Sequence, residues 1–181
     1  IKYDPTLNPV KTVAEVEEPV PVLGKFNAFT PLLICHVTRD DRVIWLVNSK
    51  YEFHVLGPDG KLIKRIIKDY APVKVTAADK KRILDDQSAE LRSMLVFPDV
   101  FPPAFFFIGD PEGRLYVQTY ETDANGWLWY DVFDTEGRCI IRFSLHRDEM
   151  PFAVRKGKLY VLINEDEDGV PLVKRYAMEW R

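Results

Sequence analysis

Residues 53–66 read FHVLGPDGKLIKRI, and residues 130–143 read YDVFDTEGRCIIRF. They are two versions of one hairpin. Each has an aromatic-led strand, an acidic residue followed by glycine, a basic residue and a second strand. Asp59-Gly60 and Glu136-Gly137 hold the same place in the two copies. Acid–glycine pairs between apolar runs signal hairpins, because glycine adopts the positive φ that tight turns demand. A second echo lies nearby. GRLYV at 113–117 returns as GKLYV at 157–161, and VIWL at 43–46 is a looser third copy. A small β-unit written repeatedly predicts an array of like sheets.

Each unit reads as up to four strands, A to D. The first unit, 31–69, places them at 31–37, 42–48, 51–56 and 61–68. The second, 104–145, places them at 104–109, 114–121, 127–134 and 138–145. The third, 151–181, has A, B and C at 151–155, 158–164 and 171–180, without a fourth. At the other end, Ile1–Asp4 closes a C strand and 10–17 forms a D strand. Residues 1–18 therefore read as the outer strands of an incomplete unit. In 139–145, Cys139, Ile141, Phe143 and Leu145 share one face while Arg142 and Ser144 take the other, as in a half-exposed outer strand. LYVLI at 159–163 is apolar on both faces, as in a strand buried between layers.

One segment breaks the period. Residues 76–94 read TAADKKRILDDQSAELRSM, with Thr76 and Asp79 at capping-box spacing and good helix formers behind them. The expected fold is all-β: antiparallel four-stranded β-propeller blades, about three plus part of another. They form part of a single domain over 1–181, with one inserted α-helix.

Composition narrows the function. The net charge is −3 and the densest basic run is Lys80-Lys81-Arg82, so the basic footprint that nucleic acid requires is missing. The most apolar stretch, 94–109, is broken by Asp99 and three prolines, so no membrane span is expected. Cys35 and Cys139 lie in strands of different type in different units and are expected to be buried free thiols. No secretory leader is legible.

The YDVFDTEGR hairpin, the GDPEGRLYVQTYE strand pair, the GKLYVLINEDEDGVPLVKRYAMEW ending and the helix before FPDVFPPAF resemble bacterial six-bladed β-propellers of the NHL-like kind. The resemblance covers 31–181 and extends to 1–18. It implies a secreted or periplasmic protein, and it is nearly silent on activity. The 44-residue step from Tyr116 to Tyr160 means that six blades need roughly 250 residues, against 181 in this chain. Ring closure is thus expected to need further N-terminal blades or a second chain.

No P-loop, G-x-G-x-x-G, G-x-S-x-G or H-E-x-x-H motif is present. His36, on an A strand next to Cys35, is the channel candidate, read beside a plain packing histidine. Zinc spacing is absent, and no metal site is expected. Ser144, His146 and Asp148 stand at alternate positions, but a triad is defined by geometry rather than by local spacing. Asn164, Asp166 and Asp168 before Gly169 resemble the opening of a calcium loop, yet position 12 is Arg175 where a glutamate is required. Glu121 and Asp123 lie in the equivalent B–C loop. Together the five residues form a candidate site for a cation, calcium included, or a basic ligand, beside the plainer reading of solvated hairpins. FPDVFPPAFFF at 97–107 reads either as a binding ridge or as a connector that packs the helix onto the sheets. The expected function is a non-enzymatic scaffold presenting loops to a ligand or protein partner. The alternatives are a propeller hydrolase or lyase with a channel-mouth site, and a structural subunit of a larger assembly.

Overall fold

The computed structural model describes residues 2–12, 15, 24–85, 87–164 and 169–179. Strands β1 (Lys2–Tyr3) and β2 (Pro9–Lys11) pair as a short hairpin, and β3 (Phe26–Asn27) follows. The first sheet runs in sequence order through β4 (Leu33–Val37), β5 (Val43–Val47), β6 (Glu52–Leu56) and β7 (Leu62–Ile67). The helices α1 (Ala77–Asp85) and α2 (Ala89–Met94) come next, then β8 (Leu95–Val96), which pairs parallel with β3. The second sheet repeats the first with β9 (Phe106–Gly109), β10 (Leu115–Thr122), β11 (Leu128–Phe133) and β12 (Cys139–Leu145). The third has three strands, β13 (Glu149–Arg155), β14 (Lys158–Ile163) and β15 (Leu172–Ala177). Every pair within these three sheets is antiparallel, so the fold is all-β and blade-like, as the repeats predict.

One turn recurs. In Asp110–Gly113, Asp123–Gly126 and Asp134–Gly137 the glycine N–H donates to the carbonyl of the aspartate three residues earlier, at 2.9–3.1 Å. The aspartate Oδ1 then accepts the N–H just beyond the glycine, from Arg114, Trp127 and Arg138 respectively. The glycines have φ of +80 to +85°, a conformation that costs other residues roughly 1–2 kcal/mol. These three hairpins therefore depend on an aspartate three places before the glycine, as in an Asx-turn, whereas at Gly57–Gly60 the neighbouring Asp59 Oδ1 accepts from Lys61 N–H at 3.1 Å.

Alternation makes the middle sheet two-sided. Phe107, Leu115, Val117 and Phe133 pack with Ile44, Leu46, Phe53, Val55 and Ile66 of the first sheet. Their sequence neighbours Phe106, Ile108, Tyr116 and Val132 pack with Val154, Leu159 and Val161 of the third. Burial of each such side chain stabilises the fold by roughly 1.5–3 kcal/mol. The first strands of the sheets adjoin in turn, β4 against β9 and β9 against β13.

Several expectations need correction. The 76–94 helix is two helices, because Ser88 takes extended backbone and caps α2 by accepting from Leu91 N–H at 3.3 Å. Neither helix buries a residue, so packing does not override that cap. The Thr76–Asp79 capping box does form, reciprocally, at 3.1 and 3.2 Å. Both cysteines are unpaired but exposed rather than buried. Cys35 shares a register with Trp45 on the side of the first sheet away from the second, and Cys139 begins an outer strand. Strand β14 is not buried on both faces: Leu159, Val161 and Ile163 are buried, whereas Tyr160 and Leu162 are half-exposed on the far side. The register of β5 on β6 also makes Ile44, not Trp45, the counterpart of Tyr116.

Candidate ligand-binding site at the loop end

The B–C turns and the links between sheets supply the candidate residues. Glu121 and Asp123 are both engaged by their own sheet. Arg142 Nη2 donates to Glu121 Oε2 at 2.9 Å. Asp123 Oδ1 accepts from Asn125 and Trp127 N–H at 2.8 and 3.0 Å, and Ser144 Oγ donates to Oδ2 at 2.7 Å. The serine bond first, then those backbone bonds, holds the Asp123 carboxyl below its usual range. Asp123 thus builds a turn. Asp166 and Asp168 lie outside the described residues. Among the described residues no three His, Cys, Asp or Glu side chains stand together as a metal would require.

Asn164 does line a cleft. It is about 360 Å³, bounded by Phe105, Gln118, Arg147, Asp148, Glu149, Met150 and Asn164. Gln118 is nearly buried, and its Oε1 accepts from Tyr130 Oη at 2.7 Å. That leaves the amide nitrogen for another acceptor. Glu149 is buried, with Oε1 accepting from Lys174 Nζ at 3.0 Å and Tyr176 Oη at 2.6 Å. Burial raises the Glu149 pKa, but those two bonds outweigh it and the carboxyl lies below its usual range. Arg147 forms no ion pair among the described residues. Partial burial, then the neighbouring Arg82 of α1, holds its guanidinium below the usual range, with Asp79 and Asp148 opposing. Asp148 instead meets His146 Nδ1 at 3.2 Å.

The insertion borders this cleft. Phe101 stacks on Tyr120 at 4.4 Å, and Phe29 meets Phe97, Phe101 and Tyr120 edge-on. Chain segments 73–75 and 99–101 pair as the helices leave and return, through Val75 N–H to Asp99 and Phe101 N–H to Val73. The 97–107 aromatics are thus mainly a connector, with Phe105 left 43% exposed on the cleft.

His36 is half-buried between β4 and β9. A methyl on Gly109 would come within 2.5 Å of its Nε2, and burial lowers its pKa, favouring the neutral ring. Ser144 donates to Asp123, so its hydroxyl is engaged away from His146. Arg147 and Gln118 are not singled out by sequence, whereas Phe105 lies in the 97–107 aromatic stretch that is. The signals were a lone amide in the apolar strand LYVQTYE and an arginine in the SLHRDEM link. The chain matches no family model, and no curated protein matches it in sequence.

Proposed function

We propose that this chain is a non-enzymatic binding scaffold, a run of six-bladed NHL-like propeller blades whose loop end takes a small anionic ligand. The observation that carries the reading is Arg147, a cation without an ion pair among the described residues, in a cleft with the Gln118 and Asn164 amides. A carboxylate there would accept charge-assisted bonds from the guanidinium and neutral bonds from the amides. The adjoining first strands support a radial fan of blades. Exposed apolar side chains on the two outermost faces support further blades covering them, from more sequence or from a second chain. They are Leu33, Val37 and Ile67 on the first sheet and Phe152 and Val173 on the third.

Calorimetric titration of the chain with acetate, succinate and citrate tests the reading. At least one should bind, and Arg147→Ala should weaken it tenfold or more with the fold intact. Absence of binding by all three, or equal binding by the variant, refutes it.

A further inference from the structure

At the end of the sheets away from the loop-end cleft, the first two sheets make the same turn. In the second sheet Asp110 N–H donates to the Arg114 carbonyl at 3.0 Å, and Arg114 N–H donates back to Asp110 Oδ1 at 2.8 Å. In the first sheet Thr38 N–H donates to the Arg42 carbonyl at 3.0 Å, and Arg42 N–H donates back to Thr38 Oγ1 at 3.0 Å. Thr38, Asp40, Arg42 and Ile44 therefore stand where Asp110, Glu112, Arg114 and Tyr116 stand in the next sheet.

The second sheet fills the space beneath its turn. Tyr116 is fully buried, its Oη donates to Asp110 Oδ2 at 2.9 Å, and Arg114 Nη1 donates to the same oxygen at 3.0 Å. The cleft that remains there, toward the third sheet, is about 140 Å³. The first sheet keeps the arginine and lacks both of its partners. Threonine stands in place of the carboxylate, and isoleucine in place of the ring. The Thr38 hydroxyl is already used, donating to Asp40 Oδ1 at 2.6 Å. Arg42 pairs instead with Asp40 at 2.8 Å, with both side chains about half exposed. Arg114, by contrast, stays 3.9 Å from Glu112, the residue at the place of Asp40. The first two sheets are left with a cleft of about 270 Å³ between them. Its apolar lining is Ile44, Val55, Ile66 and Leu115, all buried, and Arg39, Arg42 and Lys64 also line it. Two lining carboxylates, Asp110 and Asp134, are committed to Arg114 and Arg138 at 3.0 and 2.7 Å.

We propose that this cleft binds a single-ring aromatic carboxylate, of which benzoate is the simplest. The ring takes the place that Tyr116 fills in the next sheet. The carboxylate takes the place of the Asp110 carboxylate, where Arg42 meets it. One molecule thus supplies both groups that the first sheet lacks. Apolar walls hold the ring, and a charge-assisted bond to the guanidinium fixes its direction. A plain phenol leaves Arg42 without a carboxylate, and a short alkyl acid leaves the apolar walls uncovered. This site is separate from the Arg147 cleft and does not depend on what that cleft binds.

Methyl NMR of the chain titrated with benzoate tests the proposal. The Ile44, Ile66 and Leu115 resonances should shift saturably. Arg42→Gln should weaken that binding tenfold or more. The double variant Thr38→Asp with Ile44→Tyr writes the second sheet's residues into the first. It should keep the parent's melting temperature and lose benzoate binding altogether; Arg42→Gln carries the test by itself if the double variant does not fold. Arg147→Ala should bind benzoate as the parent does. No shift of these methyls overturns the proposal, as does equal binding by Arg42→Gln or by the folded double variant. Loss of binding in Arg147→Ala also overturns it, because benzoate would then occupy the loop-end cleft.

Discussion

The second sheet packs on the outer strand of the first, whereas the second and third sheets separate at the outer end. At the closed interface a buried charge lies between the sheets. Asp131, on β11, is fully buried. Its Oδ2 accepts from Tyr51 Oη and from Lys68 Nζ, both 2.5 Å away and both on the first sheet's side. Arg142 Nε forms an ion pair with Oδ1 at 2.7 Å. Burial, then the Asp131 charge, drives the Tyr51 pKa far up, so the phenol stays a donor. At the open interface the corresponding position is Lys174, tied sideways to Glu149 within its own sheet. The contrast teaches that a matching repeat can close one interface through charges that cross between sheets. The other leaves apolar walls exposed.

The contrast has measurable consequences. Asp131→Ala strands Tyr51 and Lys68 without their anion and leaves Arg142 only Glu121, so chemical denaturation should show a loss of about 3–5 kcal/mol. A loss under 1 kcal/mol would mean the cluster does not join the sheets. Ile66→Ala should cost about 2–4 kcal/mol, as a buried truncation does. Ile141→Ala, on the exposed wall of the open interface, should change stability by under about 0.5 kcal/mol. Equal losses would show that wall to be covered in solution. Gly137→Ala combines positive φ with contact on Ile66 and should cost more than Gly126→Ala, where an added methyl meets nothing within 4 Å. The latter should lose only about 1–2 kcal/mol of backbone strain. Thermal melts of the pair decide it.

A further effect is set by pH. Tyr176 is pushed up to about 12 by its bond to Glu149 and by burial. Tyr120 is pushed up to about 12 by burial. Both folded values exceed the unfolded value of 10.0, so this stabilisation is complete below pH 10 and is lost as pH rises through about 12. Phenolate absorbance near 295 nm, followed with unfolding, should show late ionisation of these groups. Tyr176→Phe should remove its part of the slope.

Much of the fold was legible because both its devices are local. Period-2 alternation and acid–glycine turns are written in adjacent letters, and the sheets followed from them. The Thr76–Asp79 box was legible for the same reason. The break at Ser88 was not, because serine is also tolerated within a helix and the competing cap is decided by backbone geometry. Cysteine exposure was not legible either, since strand type does not say whether a neighbouring sheet covers a face. The site was least legible. Asp123 carries the charge of a ligand residue, but its oxygens are used by the turn. Arg147 gains interest only from spatial neighbours far apart in sequence, Gln118 and Asn164.

The alternation within the middle sheet has a consequence for how the chain accepts change. Tyr116 and Val117 are joined by a peptide bond, yet one belongs to the core shared with the third sheet and the other to the core shared with the first. With no common side-chain partners, substitutions at the two positions should be nearly additive, although neighbours in sequence are usually suspected of coupling. Tyr116 is instead coupled to Val154 and Leu159, some forty residues away. The two cores can therefore drift independently, letter by alternate letter, and a single strand keeps two separate histories.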